Sequence, residues 1–198
     1  MVSETKPAQR ALICEDEGIA VMAIRKALVR AGYEVVGEAV EGRLAIQLAN
    51  ELNPDLILMD INIPGPIDGI QATREILQSR QIPIIMLTAY SDDTYVDSAL
   101  DAGACGYLVK PVTSEQLLPS IKTAMARFAA LQTALHEATD LREALETRKL
   151  VERAKGILMQ RKQLPESEAF HALQKMSRDK CQTMRITAQE VIKASEIL

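Results

Sequence analysis

Over the first 125 residues, five short apolar runs alternate with segments of helical period. The runs fall at 11–15, 34–39, 55–60, 83–87 and 106–109 and are rich in Ile, Val and Leu. Their length and β-branched content predict strands. Amphipathic segments near 17–31, 41–52, 68–79 and 92–103 lie between them and predict helices. In the first, Ile19, Met22, Ala23, Ala27 and Leu28 share one predicted face. Gly32, Asn53-Pro54, Ile82-Pro83 and Gly103 mark turns. Such alternation predicts an α/β fold: right-handed βαβ units, a five-stranded parallel sheet and helices on both of its faces.

After Pro111 the strand pattern does not return. Thr113-Ser114-Glu115-Gln116 reads as a helix start, with a hydroxyl cap and an acid in the first turn. From Pro119, tolerated so early in a helix, to about Arg161 only Gly156 interrupts. Phe128, Leu131, Leu135, Ala138, Leu141 and Leu145 recur at steps of three and four. One long helix with a short coiled-coil seam follows; the seam fits either a partner helix or packing against the alternating half. Pro165 with Glu166 and Glu168 starts a second helix, about 165–178, predicted to bury Ala169, Phe170, Leu173 and Met176. A third, about 184–196, is predicted to bury Ile186, Ala188, Val191 and Ile192. A small all-α bundle closes the chain.

Four strand-like runs end on polar groups: Glu15-Asp16-Glu17, Asp60, Thr88 and Lys110-Pro111. In an open parallel sheet, ligands bind beyond the carboxyl ends of the strands, so these groups meet at one edge. An acidic pair, a lone Asp, a hydroxyl and an ammonium can bind Mg²⁺ and hold a phosphoryl group on a carboxylate. Asp60 is the expected nucleophile. Asp16 and Asp60 are expected Mg²⁺ ligands, with Glu15 close by, and the main-chain carbonyl of Asn62 is a further candidate ligand; one or two carboxylates suffice for this hard, water-retaining cation. Lys110 is expected to pair with Asp60 and then with a phosphate oxygen. Thr88 is expected to donate its hydroxyl to the phosphoryl group. Singly, an acid at a strand end is a helix cap and Lys-Pro is a turn; the four features in order carry the reading.

Charge divides the chain. Residues 1–125 hold 10 Lys/Arg against 17 Asp/Glu, a net −7, and residues 126–198 hold 13 against 10, a net +3. Cys14, Cys105 and Cys181 are odd in number and widely spaced, which argues for reduced thiols and a cytoplasmic location; Cys14, inside a strand run, is expected to pack. No apolar stretch reaches the roughly 18 residues of a membrane span, and the polar residues Met1 to Arg10 do not read as a secretory signal. Between Arg148 and Lys162 stand six cations (Arg148, Lys149, Arg153, Lys155, Arg161, Lys162) and one acid, Glu152. Lys175, Arg178, Lys180 and Arg185 add a second basic group. That density suits phosphate binding; it equally suits a solvated helix face. Gly156 costs its helix about 1 kcal/mol against Ala, which suggests close approach of another backbone. Phe170 is expected to be buried and Trp is absent, so any RNA recognition would rest on shape, phosphates and hydrogen bonds.

Residues 10–125 resemble the receiver domain of two-component response regulators. The resemblance rests on Glu15-Asp16-Glu17, Met59-Asp60-Ile61, Pro64 with Asp68-Gly69, Leu87-Thr88-Ala89, and Gly103 through Tyr107-Leu108-Val109-Lys110-Pro111. It implies a flavodoxin-like, doubly wound sheet of order 2-1-3-4-5, a cis Lys110-Pro111 bond, and phosphorylation of Asp60 by a sensor histidine kinase. It also implies that Tyr107 swings inward as Thr88 moves toward the phosphate. Glu15 replaces the commoner Asp, and the loop Pro64-Gly65-Pro66-Ile67-Asp68 is one residue longer than usual; neither removes an essential group.

Residues 141–198 resemble the ANTAR domain, a helical RNA-binding module of transcription antiterminators. Leu145-Glu146-Thr147-Arg148, Arg153-Ala154-Lys155-Gly156-Ile157-Leu158-Met159, Ser167-Glu168-Ala169-Phe170 and Leu173 carry it, and the last helix follows the pattern loosely. The expected layout is a tail at 1–9, a receiver at 10–125, a helical linker with coiled-coil character at 126–144 and an ANTAR domain at 145–198. The expected protein is a regulator and not an enzyme in the turnover sense, with a histidine kinase and structured RNA in nascent transcripts as partners. The seam admits a phosphorylation-dependent homodimer. An aspartyl phosphatase would want a second Asp where Asn62 stands. An output that binds protein or DNA is the alternative, though the basic residues crowd the long helix and no short recognition helix stands out.

Overall fold

A computed structural model describes residues 8–89 and 93–196. The first residues of the expected tail, and residue 92 of the fourth amphipathic segment, lie outside them. The described residues form β1 (Arg10–Cys14), α1 (Gly18–Arg30), β2 (Glu34–Ala39), α2 (Gly42–Leu52), β3 (Leu56–Asp60), α3 (Gly69–Ser79), β4 (Ile84–Thr88), α4 (Asp93–Asp101), β5 (Gly106–Val109), α5 (Ser114–Lys162), α6 (Glu166–Asp179) and α7 (Met184–Glu196). The five strands are parallel, in the order β2-β1-β3-β4-β5. The chain divides into two compact units, Met1–Leu131 and Gln132–Leu198.

β1, β3 and β4 lie inside the sheet, and their apolar residues are buried without alternation, as expected for strands covered on both faces. Side chains divide by parity. Leu12, Cys14, Ile57, Met59, Ile84 and Met86 join a core with α2 and α3, while Ala11, Ile13, Leu56, Leu58, Ile85 and Leu87 join one with α1 and the first turns of α5. Two separate cores, one on each face, are the physical content of a doubly wound sheet. Cys14 is fully buried, and desolvation pushes its thiol well above the usual range.

The structure corrects the expected face of α1. Ile24, Ala27 and Leu28 are buried, while Ile19 and Met22 are 79% and 73% exposed and Ala23 is also exposed. The helix carries apolar residues on two stripes, and the sheet takes the one through Ile24 and Leu28.

The second unit has its own core of Ala154 and Leu158 from α5, Ala169 and Leu173 from α6, and Ala188 and Ile192 from α7. Three predicted core residues lie outside it: Phe170, Ile186 and the half-buried Met176. Ala169 and Leu173 are one turn apart and define the buried stripe of α6, which leaves neighbouring Phe170 on the flank at 38% exposure. On α7, Thr187 and Ala188 turn inward and Ile186 is 42% exposed. Gly156 also differs from expectation: a Cβ built there meets nothing within 4 Å, so no other element among the described residues approaches it there. Leu131, Leu135, Leu141 and Leu145 are exposed along α5. Among the described residues, no helix is long and apolar enough to cross a membrane.

Candidate functional site

Parallel strands bring their carboxyl ends to one edge, and β1, β3, β4 and β5 deliver the predicted groups there. Glu15 follows β1 and is tied to β2 by its N–H, which donates to the Ala39 carbonyl at 2.9 Å. Asp60 ends β3; the next N–H, of Ile61, donates to Leu87 on β4 at 2.9 Å. Thr88 ends β4, and its carbonyl accepts from the Lys110 N–H at 2.7 Å. The Lys110-Pro111 bond is cis.

Lys110 links the acids. Its Nζ lies 2.8 Å from Asp60 Oδ2, 2.8 Å from Glu15 Oε1 and 2.6 Å from Glu15 Oε2. The Asn62 N–H donates to Asp60 Oδ1 at 3.1 Å. Oxygens of Glu15, Asp16 and Asp60 lie within 4.8 Å of one another. Glu15 and Asp60 are buried and Asp16 is exposed. Burial raises the pKa of the Glu15 carboxyl; the Lys110 hydrogen bond opposes that, and the Asp60 charge raises it again. Burial would lower the pKa of Lys110, but its hydrogen bonds to Asp60 and Glu15 outweigh it and hold the ammonium above its usual range.

Three carboxylates facing one ammonium leave an excess of about two negative charges, which a divalent cation would offset. Oxygens on Mg²⁺ at about 2.1 Å stand at most about 4.2 Å apart, close to the spacing found. The donor set is all oxygen and partly open to water, so it fits Mg²⁺. Asn62 adjoins the cluster through its N–H. Thr88 is buried at the same edge, while Tyr107, on β5, is 45% exposed.

Sequence reading missed the reason for Gly69. A Cβ there would collide with the carbonyl of Asp60. The Gly69 N–H donates to Ile61 at 3.0 Å, and Asp68 caps α3 by accepting from the Gln71 N–H at 2.7 Å. The start of α3 thus rests directly under the candidate nucleophile. The Asp68-Gly69 pair was visible as a motif, but the contact needs the fold.

In the second unit, several of the predicted RNA-contacting cations are held by partners of the same chain. Lys155 Nζ bridges Glu152 at 2.6 Å and Glu166 at 2.7 Å, joining α5 to α6. Arg153 pairs with Glu196 at 3.0 Å, Lys180 with Glu190 at 2.6 Å and Arg185 with Glu146 at 3.7 Å. Arg161 donates to the Ser195 carbonyl at 2.8 Å. Arg148, Lys149 and Lys162 are exposed and have no such partner among the described residues.

Comparison with known proteins agrees with this division. Residues 11–122 match the response regulator receiver domain, and residues 139–192 match the ANTAR domain. The chain is 44% identical over 184 residues to the transcriptional regulatory protein PdtaR of Mycobacterium tuberculosis, covering 93% of this chain and 89% of that one. It is 41% identical to the chemotaxis protein CheY of Bacillus subtilis over 58% of this chain and 95% of CheY. Among solved structures, the receiver domain of a modulated diguanylate cyclase from Desulfovibrio desulfuricans superposes with a TM-score of 0.58 at 32% identity, over 62% of this chain and 98% of that one. The chain belongs to the response regulators, in the form that joins a receiver domain to an ANTAR domain.

Proposed function

We propose that Asp60 takes a phosphoryl group from the phosphohistidine of a sensor kinase and that the helical unit binds structured RNA in a nascent transcript to prevent termination. The observation that carries the first step is the Lys110 ammonium on Asp60 Oδ2, with the carboxylates of Glu15 and Asp16 clustered beside it. An Asp60 oxygen attacks phosphorus, the phosphorus–nitrogen bond breaks, and the departing imidazole nitrogen takes up a proton. Mg²⁺, when bound, would neutralise charge building on the transferring group. Asp16 and Asp60 would hold it directly, with the Asn62 carbonyl as a further ligand. Glu15 would stand behind them, since Lys110 donates to its Oε1 and lies 2.6 Å from its Oε2. Lys110 would then follow the charge onto a phosphate oxygen, and Thr88 would donate its hydroxyl to another. A shift of Thr88 would let the exposed Tyr107 ring turn inward.

Ile19 and Met22 share an open hollow with Glu15 and Asp16. Large exposed apolar groups at the mouth of an acidic site favour a protein donor. Arg148, Lys149, Arg153, Lys155, Arg161, Lys162, Lys180 and Arg185 supply the basic surface for RNA. The exposed leucines of α5 support a homodimer that phosphorylation controls, presenting two such surfaces to one RNA.

Incubation with Mg²⁺ and a small phosphodonor, read by intact mass, tests the acceptor. Wild type should gain one phosphoryl group and Asp60→Asn none, with Asp16→Asn slowed through loss of a metal ligand. Equal labelling of wild type and Asp60→Asn would refute the assignment.

A further inference from the structure

Gly156 lies inside α5, two residues from the core residues Ala154 and Leu158 on either side, and its Cβ position faces open space. A helix-interior glycine weakens the helix relative to alanine. Among the described residues no neighbour of Gly156 requires that weakness. Residues three, four and seven apart share a helix face, so Gly156 lies on one stripe with Lys149, Arg153 and Gln160. Lys149 is exposed with no ion-pair partner among the described residues. Arg153 is held only by Glu196, in a pair whose side chains are 63% and 59% exposed, and such surface pairs exchange readily for another anion. The one acid on this face, Glu152, pairs at 2.6 Å with Lys155, which it shares with Glu166.

We infer that Gly156 is the point of closest approach of the RNA sugar–phosphate backbone, with Lys149, Arg153 and Gln160 gripping it from one side. This rests on the RNA-binding reading given above and assigns a contact surface to it. Cα atoms lie about 2.3 Å from a helix axis, whereas side chains carry the surface to about 5–6 Å. A bare position therefore lets a strand sink by about 3 Å, within reach of three side chains that otherwise point past it. The helix N–H groups here are used within the helix, so the glycine contributes space and the neighbours contribute charge. Lys149 and Arg153 against Glu152 leave the stripe one positive charge, which favours a polyanion over a second copy of the chain.

The test uses the full chain, Gly156→Ala and Gly156→Leu, and a pool of RNA hairpins with a fixed stem and a randomised loop. Gly156→Ala should raise the Tm of the helical unit by about 4–8 °C while weakening binding of the pool by about tenfold. Gly156→Leu should weaken it further. Affinities equal to wild type in both variants would overturn the inference while leaving the RNA reading intact. A fall in Tm for Gly156→Ala would overturn it by showing a packing role, and altered mass in solution with unaltered RNA affinity would overturn it in favour of a protein contact. Failure of wild type itself to bind the pool would refute the RNA reading and the inference with it.

Discussion

Lys110 holds two buried carboxylates at once, and that arrangement has a pH signature. Burial raises the Glu15 pKa against the Lys110 hydrogen bond, with Asp60 adding to the rise. A carboxyl whose folded pKa stands above its unfolded value, about 4.3, contributes stability fully below that value and loses it as pH rises through the folded pKa. Glu15→Gln should therefore gain on wild type, in metal-free buffer, as pH is raised from about 4. Urea midpoints measured across that range check this; a difference independent of pH would contradict it. Gly69 gives a second prediction at this scale. A methyl group at Gly69 must push the Asp60 carbonyl away, and small misplacements of a reacting group are costly. Gly69→Ala should slow phosphorylation of Asp60 by about tenfold to a hundredfold, read by the rate of mass gain from a small phosphodonor.

At the scale of elements, the inner strands β1, β3 and β4 were legible because they are buried on both faces and read as unbroken apolar runs. The site was legible for a related reason: its groups stand at the first polar positions after those runs, where a parallel sheet gathers them. Helix faces were less so. Ile19 and Leu28 are both apolar, and period alone does not say which stripe the sheet will cover. Phe170 looked internal by residue type, but Ala169 and Leu173 set the buried stripe. Ion pairing lay further out of reach, since Lys155 reads as one cation among six until Glu166 is seen 2.7 Å away. The pairings separate two kinds of cation. Lys149→Ala should shallow the slope of log K against log salt for single-stranded RNA by about 0.7. Lys155→Ala should also loosen α6, seen as faster amide exchange over Glu166–Asp179; unaltered exchange there would mean that its ion pairs do not brace the helix.

The whole molecule comprises two compact units with separate cores. Leu173 is fully buried in the second, so Leu173→Ala should cost that unit about 2–5 kcal/mol. Phosphorylation of Asp60 should be unchanged, and a two-transition melt monitored together with labelling checks both. Communication between the units is the central claim. Moving an equilibrium from 1:99 to 99:1 takes about 5.5 kcal/mol of preference for the active state; on the proposed function, phosphorylation would supply it through the Thr88–Tyr107 edge and the leucine seam of α5. The most direct measurement is the affinity of the full chain for the RNA hairpin pool, with and without a phosphodonor and Mg²⁺, in wild type and in Asp60→Asn. The account predicts tighter binding, with a rise in mass to a dimer, only for phosphorylated wild type; equal affinity and equal mass for the phosphorylated and unmodified protein would contradict it.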